Sequence, residues 1–346
     1  MIYSKEYWND VSLVIRNIPN KDCLRGKTVF MTGGTGLIGS TVVDILCYLN
    51  KEMDMNINVC LGVRDESKAR ARFNVKNDHD NIKFIFFDAT KENVINVEAD
   101  YIIYAAGGAN PTAYSLRPVE TILSNLVGLN SILYQYSHKS IGRLLYISSS
   151  EVYGKKNNRR PYEENEYGYV DILNSRSCYP LAKRLAENLC ISYYKEYGVN
   201  IVIARPGHIY GPNIMDGDDR ASAQFSRNAI AKSSIILKSN GEQIRSYCYS
   251  LDCASAILAI LINGNVCEAY NISNPDSIIS IRTLANEFSQ QAGTNLVFEN
   301  PTDSERCGYN LMNNSSLDSG KLEKLGWRGM FDLTTGVGRT IKFLKG

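Results

Sequence analysis

Along the chain, short apolar runs alternate with longer stretches whose apolar positions recur at helical spacing. Val29–Thr32, Ile57–Val63, Ile82–Phe87, Tyr101–Ala106, Arg143–Ser148 and Asn200–Ala204 each read as a strand. Helical spacing lies between them at Ser40–Leu46, from about Val119 to Ser137, and at Tyr179–Tyr197. Strands alternating with helices predict βαβ units, an α/β fold and a Rossmann-type doubly wound parallel sheet. Ligands in such sheets sit at the carboxyl ends of the strands. Residues 1–25 are polar and mixed, a helix and loop leading into the first strand. Beyond residue 205 the pattern loosens into Gly-, Pro-, Asn- and Asp-rich loops with shorter elements. A smaller, interleaved C-terminal substrate-binding domain is expected there. Tyr247–Ile262 reads as a strand-like segment followed by a helix that returns to the sheet. The expected division is 1–205 with about 247–272 for the dinucleotide-binding domain, and 206–246 with 273–346 for the substrate domain.

Composition narrows the partners. The 346 residues are 44% hydrophobic and 21% charged, with a formal net charge of +2, which gives no electrostatic case for nucleic acid or a membrane surface. Apolar stretches fall far short of the about 20 residues that a membrane helix needs, and the N-terminus shows no apolar signal core. The nine cysteines are scattered without a C-x-x-C pair, as expected of reduced thiols in the cytoplasm. His79, His138 and His208 are far apart in sequence, so no metal site is expected.

The first strand ends in Gly33-Gly34-Thr35-Gly36-Leu37-Ile38-Gly39. Gly34, Gly36 and Gly39 have the G-x-G-x-x-G spacing, with Gly33 one place ahead. One glycine permits the tight turn, one lets backbone approach a pyrophosphate, and one lets helix pack on strand. The following helix offers free N–H groups to phosphates. At the end of the second strand an acid usually holds the ribose 2′-OH of NAD, whereas an Arg suits the 2′-phosphate of NADP. Arg64 stands there, so the cofactor is NAD or NADP with a lean to NADP; the plain alternative is a solvated Arg at a strand end. Asp88 closes the third strand, where many dinucleotide folds place an Asp beside the adenine.

Tyr179 and Lys183 are four residues apart and share a helix face. A phenol with a pKa of about 10 needs about 4 kcal/mol of help to act as a base near neutrality, and a nearby ammonium supplies it. Ser148-Ser149-Ser150-Glu151 at the end of the fifth strand offers a hydroxyl to the same substrate oxygen. An exposed Tyr and Lys on a surface helix is the plain alternative, and it leaves the coincidence of three motifs at strand ends unexplained.

With these residues in view the sequence resembles the extended short-chain dehydrogenases/reductases, in the nucleotide-sugar epimerase/dehydratase/decarboxylase group. The resemblance runs from about Gly26 to Phe343 through the glycine turn, Asp88, Ala105-Ala106, Asn125, the serine cluster and Tyr179/Lys183. It continues through Arg205–Pro212, with His208 inside that run, and through Gly241–Arg245, Tyr249, Asp252, Tyr270-Asn271 and Leu325-Gly326-Trp327. Tyr104 replaces the His usual before the paired alanines. Within the group it most resembles the UDP-glucuronate decarboxylases, through Ser149–Gly154, Arg176-Ser177-Cys178-Tyr179 with Lys183 and Arg184, and Asn110–Tyr114 as a sugar-contacting loop. Ser149 replaces a more usual Thr, and Asp218-Asp219-Arg220 has Asp219 in place of a Gly.

The resemblance implies Ser149, Glu151, Tyr179 and Lys183 as catalytic residues. Gly33, Gly36, Leu37, Ile38, Gly39, Arg64, Asp88, Ala105, Ala106, Asn125, Tyr179 and Lys183 would hold the cofactor. Tyr114, Ser150, His208, Arg220 and Arg245 would hold a nucleotide sugar. It also implies a homodimer through two helices per subunit. Transient oxidation at the sugar C4 acidifies C5. A C6 carboxylate then leaves as carbon dioxide; with a C6 hydroxymethyl, Glu151 acts as base and water is lost. Dehydration and epimerisation stay open beside decarboxylation. An ordinary reductase would need neither Glu151 nor the arginines, and a non-catalytic dinucleotide sensor would need no Tyr/Lys pair.

Overall fold

The computed structural model describes residues 3–73, 82–108, 110–139, 141–156, 160–302, 306, 309–310 and 312–345; His79 and Cys307 lie outside the described residues. A first helix, α1 (Lys5–Ile15), precedes β1 (Thr28–Thr32), α2 (Leu37–Met53), β2 (Asn58–Val63), α3 (Glu66–Phe73), β3 (Ile82–Phe86) and β4 (Tyr101–Tyr104). Then follow α4 (Pro111–Leu116), α5 (Pro118–Ser137), β5 (Arg143–Ile147), α6 (Cys178–Tyr197) and β6 (Ile201–Pro206). The second part carries β7 (His208–Tyr210), α7 (Ala221–Ile230), β8 (Ile235–Leu237), β9 (Ile244–Tyr249), α8 (Ser250–Asn263) and β10 (Ala269–Ile272). It ends with β11 (Ile278–Ser280), α9 (Ile281–Ala292), β12 (Leu296–Phe298), β13 (Asn314–Ser315) and a C-terminal helix at Leu333–Lys345.

Seven strands form one parallel sheet in the order β10-β6-β5-β4-β1-β2-β3. This is the expected doubly wound arrangement. Residues of β1 alternate between the two faces, as a pleated strand must. Val29 and Met31 join the core under α1, α2 and α8, with Leu46, Leu49 and Ile257. Phe30 joins the core under α5 and α6, with Leu129, Leu133 and Cys190.

Two features differ from the sequence expectation. A seventh strand, β10, pairs with β6 at the sheet edge; its four residues give too little apolar length to stand out in the pattern. Tyr247–Tyr249 belong to β9, which pairs with β7, β11 and β13 in a second sheet, while α8 and β10 after it return to the large one. The chain crosses between the sheets at Tyr249–Ser250, where β9 runs directly into α8.

A buried polar network ties β6, α6 and β10 to the loop after β5. Arg205, at the end of β6, donates to both Glu187 oxygens at 2.9 and 2.6 Å. It also donates to the Tyr153 and Tyr167 hydroxyls at 3.0 Å each and to the Glu164 carbonyl at 2.8 Å. Tyr153 in turn donates to Asn271 of β10 at 2.5 Å.

Candidate active site

The glycine turn behaves as its spacing requires. Gly33 has a φ of +68°, and a Cβ there would meet the Ala105 carbonyl oxygen at 2.5 Å. A Cβ on Gly39 would collide with the Gly33 carbonyl oxygen and lie 2.9 Å from the Gly34 Cα, so that glycine is what lets α2 close on β1. Gly36, the N-cap of α2, is different: its Cβ would meet protein only at 3.5 Å. That leaves its outer side open to a close-packed phosphate at the helix N-terminus. Leu37 is buried and Ile38 half-buried in the core beneath.

Across the cleft, the Ala105 and Ala106 N–H groups donate to the Thr32 hydroxyl at 3.3 and 3.2 Å, which fixes the end of β4 beside the turn. Asn125 on α5 is fully buried and donates to the Thr121 carbonyl, while its Oδ1 has no hydrogen-bond partner among the described residues. Arg64 is exposed just after β2 and lies beside a hollow of about 570 Å³ walled by Thr90, Arg117 and Leu123. Asp88 accepts from the Thr90 N–H and hydroxyl at 3.0 and 2.8 Å. These bonds, helped by the Lys91 and Arg64 charges, hold its carboxyl below the usual range. Tyr104, in the place of the family's His, is buried, with its ring 6.1 Å from that of Tyr146. The residues therefore suit a dinucleotide: an open helix N-terminus, an orphaned amide oxygen and a carboxylate stand along the ends of β1 to β4.

The Ser149, Tyr179 and Lys183 side chains gather after β5. Ser149 caps the short 3-10 turn Ser150–Tyr153, accepting from the Glu151 N–H at 3.2 Å, and Ser150 is buried in that turn. Arg184 of α6 clamps the turn by donating to the Val152 and Tyr153 carbonyls at 2.6 and 3.1 Å. Tyr179 and Lys183 lie on the buried face of α6. The Tyr179 hydroxyl interacts with those of Ser149 and Tyr114. Its ring stacks on Tyr114 with centroids 4.5 Å apart and planes at 17°. Lys183 donates to the Ile147 carbonyl at 2.8 Å, and its Nζ lies 4.8 Å above the Tyr146 ring.

The electrostatics of this pair are set mainly by burial. Desolvation and the Glu151 charge push Tyr179 up to about 12, against the pull of Ser149, Tyr114 and Arg220. Burial pushes Lys183 down to about 7. In these surroundings the Ser149 and Tyr114 hydroxyls and Arg220 oppose the rise in the Tyr179 pKa, and the Lys183 Nζ lies 5.8 Å from the Tyr179 ring.

A residue without an assigned role in the sequence completes the wall. Arg176, three positions before Tyr179, donates to both Glu151 oxygens at 2.9 and 3.0 Å. Its guanidinium carbon lies 4.9 Å from the centre of the Tyr114 ring. The only sequence signal was its place in the Arg-Ser-Cys-Tyr run; nothing there says which acid it meets. Arg220 is likewise taken, in a two-pronged pair with Asp218. Arg245 on β9 is buried and donates to the Ile244 carbonyl at 2.9 Å, with Tyr247 and Glu151 within electrostatic reach. His208 on β7 sits between these charges. Burial, Arg245 and Arg220 push it down to about 3, so it is neutral near physiological pH, and its Nδ1 has no partner among the described residues.

The fold and the site together define a dinucleotide-binding α/β protein with a Ser–Tyr–Lys cluster at the end of β5. Residues 29–273 match the NAD dependent epimerase/dehydratase family, and the chain belongs to that family. UDP-glucuronic acid decarboxylase 1 of Xenopus tropicalis is 30% identical over 325 residues, covering 92% of this chain and 72% of that protein. UDP-glucuronic acid decarboxylase 3 of Arabidopsis thaliana is 30% identical over 322 residues, covering 92% and 89% respectively. The fold is shared with the epimerase Mth375 of Methanothermobacter thermautotrophicus, at a TM-score of 0.80 and 18% identity over 96% of this chain and 95% of that one. Among the described residues no helix is long and apolar enough to cross a membrane, and no group of His, Cys, Asp and Glu is placed to hold a metal ion.

Proposed function

We propose that this protein decarboxylates a UDP-glucuronate-like nucleotide sugar by transient oxidation at C4. The observation that carries the reading is the Arg176–Glu151 pair. Dehydration needs a base at C5, and a carboxylate with both oxygens on one guanidinium fork is poorly disposed to accept a proton. Decarboxylation needs no such base, because a carboxylate β to a ketone leaves by itself as carbon dioxide. The likeness to UDP-glucuronic acid decarboxylases over most of the chain supports the same choice.

The bound cofactor supplies a hydride acceptor, and later a donor, at C4. Ser149 and Tyr179 hold the C4 oxygen, and Tyr179 takes its proton. Once the C6 carboxylate has gone, its electron pair remains as an enolate between C5 and the C4 oxygen. That oxygen stays within reach of Ser149 and Tyr179, C5 takes up a proton from water, and Tyr179 returns its own proton when C4 is reduced again. Arg220 and Arg245 hold the diphosphate or the sugar carboxylate, with Tyr114, Ser150 and His208 lining the sugar. Incubation with UDP-glucuronate and no added reductant should give a product lighter by carbon dioxide. Loss of water, or an isomer of unchanged mass, would overturn the reading in favour of a dehydratase or an epimerase.

Three further parts belong to this proposal. Arg64, with Arg117 across the same hollow, favours the 2′-phosphate of NADP; tighter calorimetric binding of NAD would refute it. Val119, Ile122, Leu123, Tyr134, Leu185 and Tyr194 stay exposed on α5 and α6, the faces through which a homodimer would form. Light scattering should report a dimer that Leu185→Glu splits, and a monomeric parent protein would refute it. The buried thiols Cys60, Cys190, Cys248 and Cys253 suit the cytoplasm; a fluorescent fusion found outside it would refute that placement.

A further inference from the structure

The sugar end of the cleft gathers Glu151, Asp218 and Asp219 with Arg176, Arg220 and Arg245. Asp218 is taken by Arg220 and Glu151 by Arg176. Arg245 has no carboxylate at ion-pair distance among the described residues, although Glu151 lies within its electrostatic reach. The Glu151–Arg176 pair is itself half-sheltered, with side-chain exposures of 15% and 10%, so water screens it poorly. A sugar carboxylate arriving here meets Glu151, an anion that repels it, and Arg245, a cation that Glu151 could also attract.

We propose that Arg176 is a positioning residue: its fork cancels the Glu151 charge and so admits a carboxylate-bearing sugar to the same pocket, an inference that rests on the decarboxylase reading. Arg176 is well built for this. It lies in the 3-10 turn Ser175–Ser177 at the start of α6, held by the Asn174 side chain, which accepts from the Arg176 N–H at 2.9 Å. The guanidinium carbon lies over the Tyr114 ring, which stacks on Tyr179. The counter-ion of Glu151 and the phenol that takes the C4 proton thus share one stacked column. Without Arg176, Glu151 would turn to Arg245, and the incoming carboxylate would lose its cation and gain a repulsive neighbour.

The test uses the full chain in a Tyr179→Phe background, which blocks turnover. Calorimetry compares UDP-glucuronate with UDP-xylose, which differ by the carboxylate alone. Arg176→Gln should weaken UDP-glucuronate at least about tenfold and UDP-xylose by no more than about twofold. Arg176→Gln with Glu151→Gln removes both charges, so it should bring UDP-glucuronate back to within about threefold of the parent. Arg176→Lys keeps the charge without the fork and should fall between. Equal weakening of both ligands, or a double variant as weak as the single one, overturns the role of Arg176. If the enzyme with Tyr179 intact releases no carbon dioxide while the binding cycle behaves as described, the reaction reading falls and Arg176 stands. If UDP-glucuronate does not bind at all, both fall.

Discussion

Two Arg–Glu forks, built from the same chemistry, involve α6 and the turn before it and have different tasks. Arg205–Glu187 is enclosed: its other donors reach two tyrosine hydroxyls and a backbone carbonyl, and its charge is spent inside the protein. Arg176–Glu151 lies between the Ser150–Tyr153 turn and the Tyr114–Tyr179 stack. Removing one partner of an enclosed pair leaves an uncompensated buried charge, whereas a pair at a wall is open to an arriving ligand. The first therefore belongs to stability and the second to selectivity, although burial alone would rank them alike.

The largest expected effect isolates the wall. Tyr179→Phe should reduce turnover by at least about a thousandfold while leaving the fold and nucleotide binding unchanged; near-normal turnover would remove the reason to treat the wall as an active site. Next, Arg205→Leu should cost about 3–5 kcal/mol in denaturant unfolding, whereas Arg176→Gln should cost about 1–3 kcal/mol. Equal losses would erase the distinction. Gly39→Ala should weaken dinucleotide binding measured by calorimetry, because its Cβ would push α2 off the turn; unchanged affinity would mean that the turn has slack. A last effect is in pH. Lys183 is pushed down to about 7 from 10.5, so from pH 7 to 10.5 the unfolded chain binds the extra proton and stability should rise with pH. Below pH 7 both states are charged and the contribution is flat. Lys183→Met should remove that rise from a series of denaturant midpoints, and an unchanged slope would assign it to other groups.

Much of the site was legible in the chain because its parts are local. A glycine turn is written in consecutive residues, and a shared helix face needs only the spacing of Tyr179 and Lys183. The end of β5 could be located from its apolar run, which placed Ser149 and Glu151. The large sheet followed from the alternation of strand and helix. The smaller sheet did not, because β7, β11 and β13 have only two or three residues each, and strands that short leave no periodic trace. Glu151 and Arg176 stand 25 residues apart with a turn and loop between them, and no spacing rule joins them.

By itself, then, the sequence determined the sheet, the glycine turn and the Tyr–Lys face, since each depends on neighbours within one element or one crossover. Only the tertiary structure decided which guanidinium meets which carboxylate, that Tyr114 lies against Tyr179, and that burial is the largest influence on the phenol. Ion pairing and desolvation depend on distance through space and on the shell of atoms around a group, and both are settled only when separate elements pack.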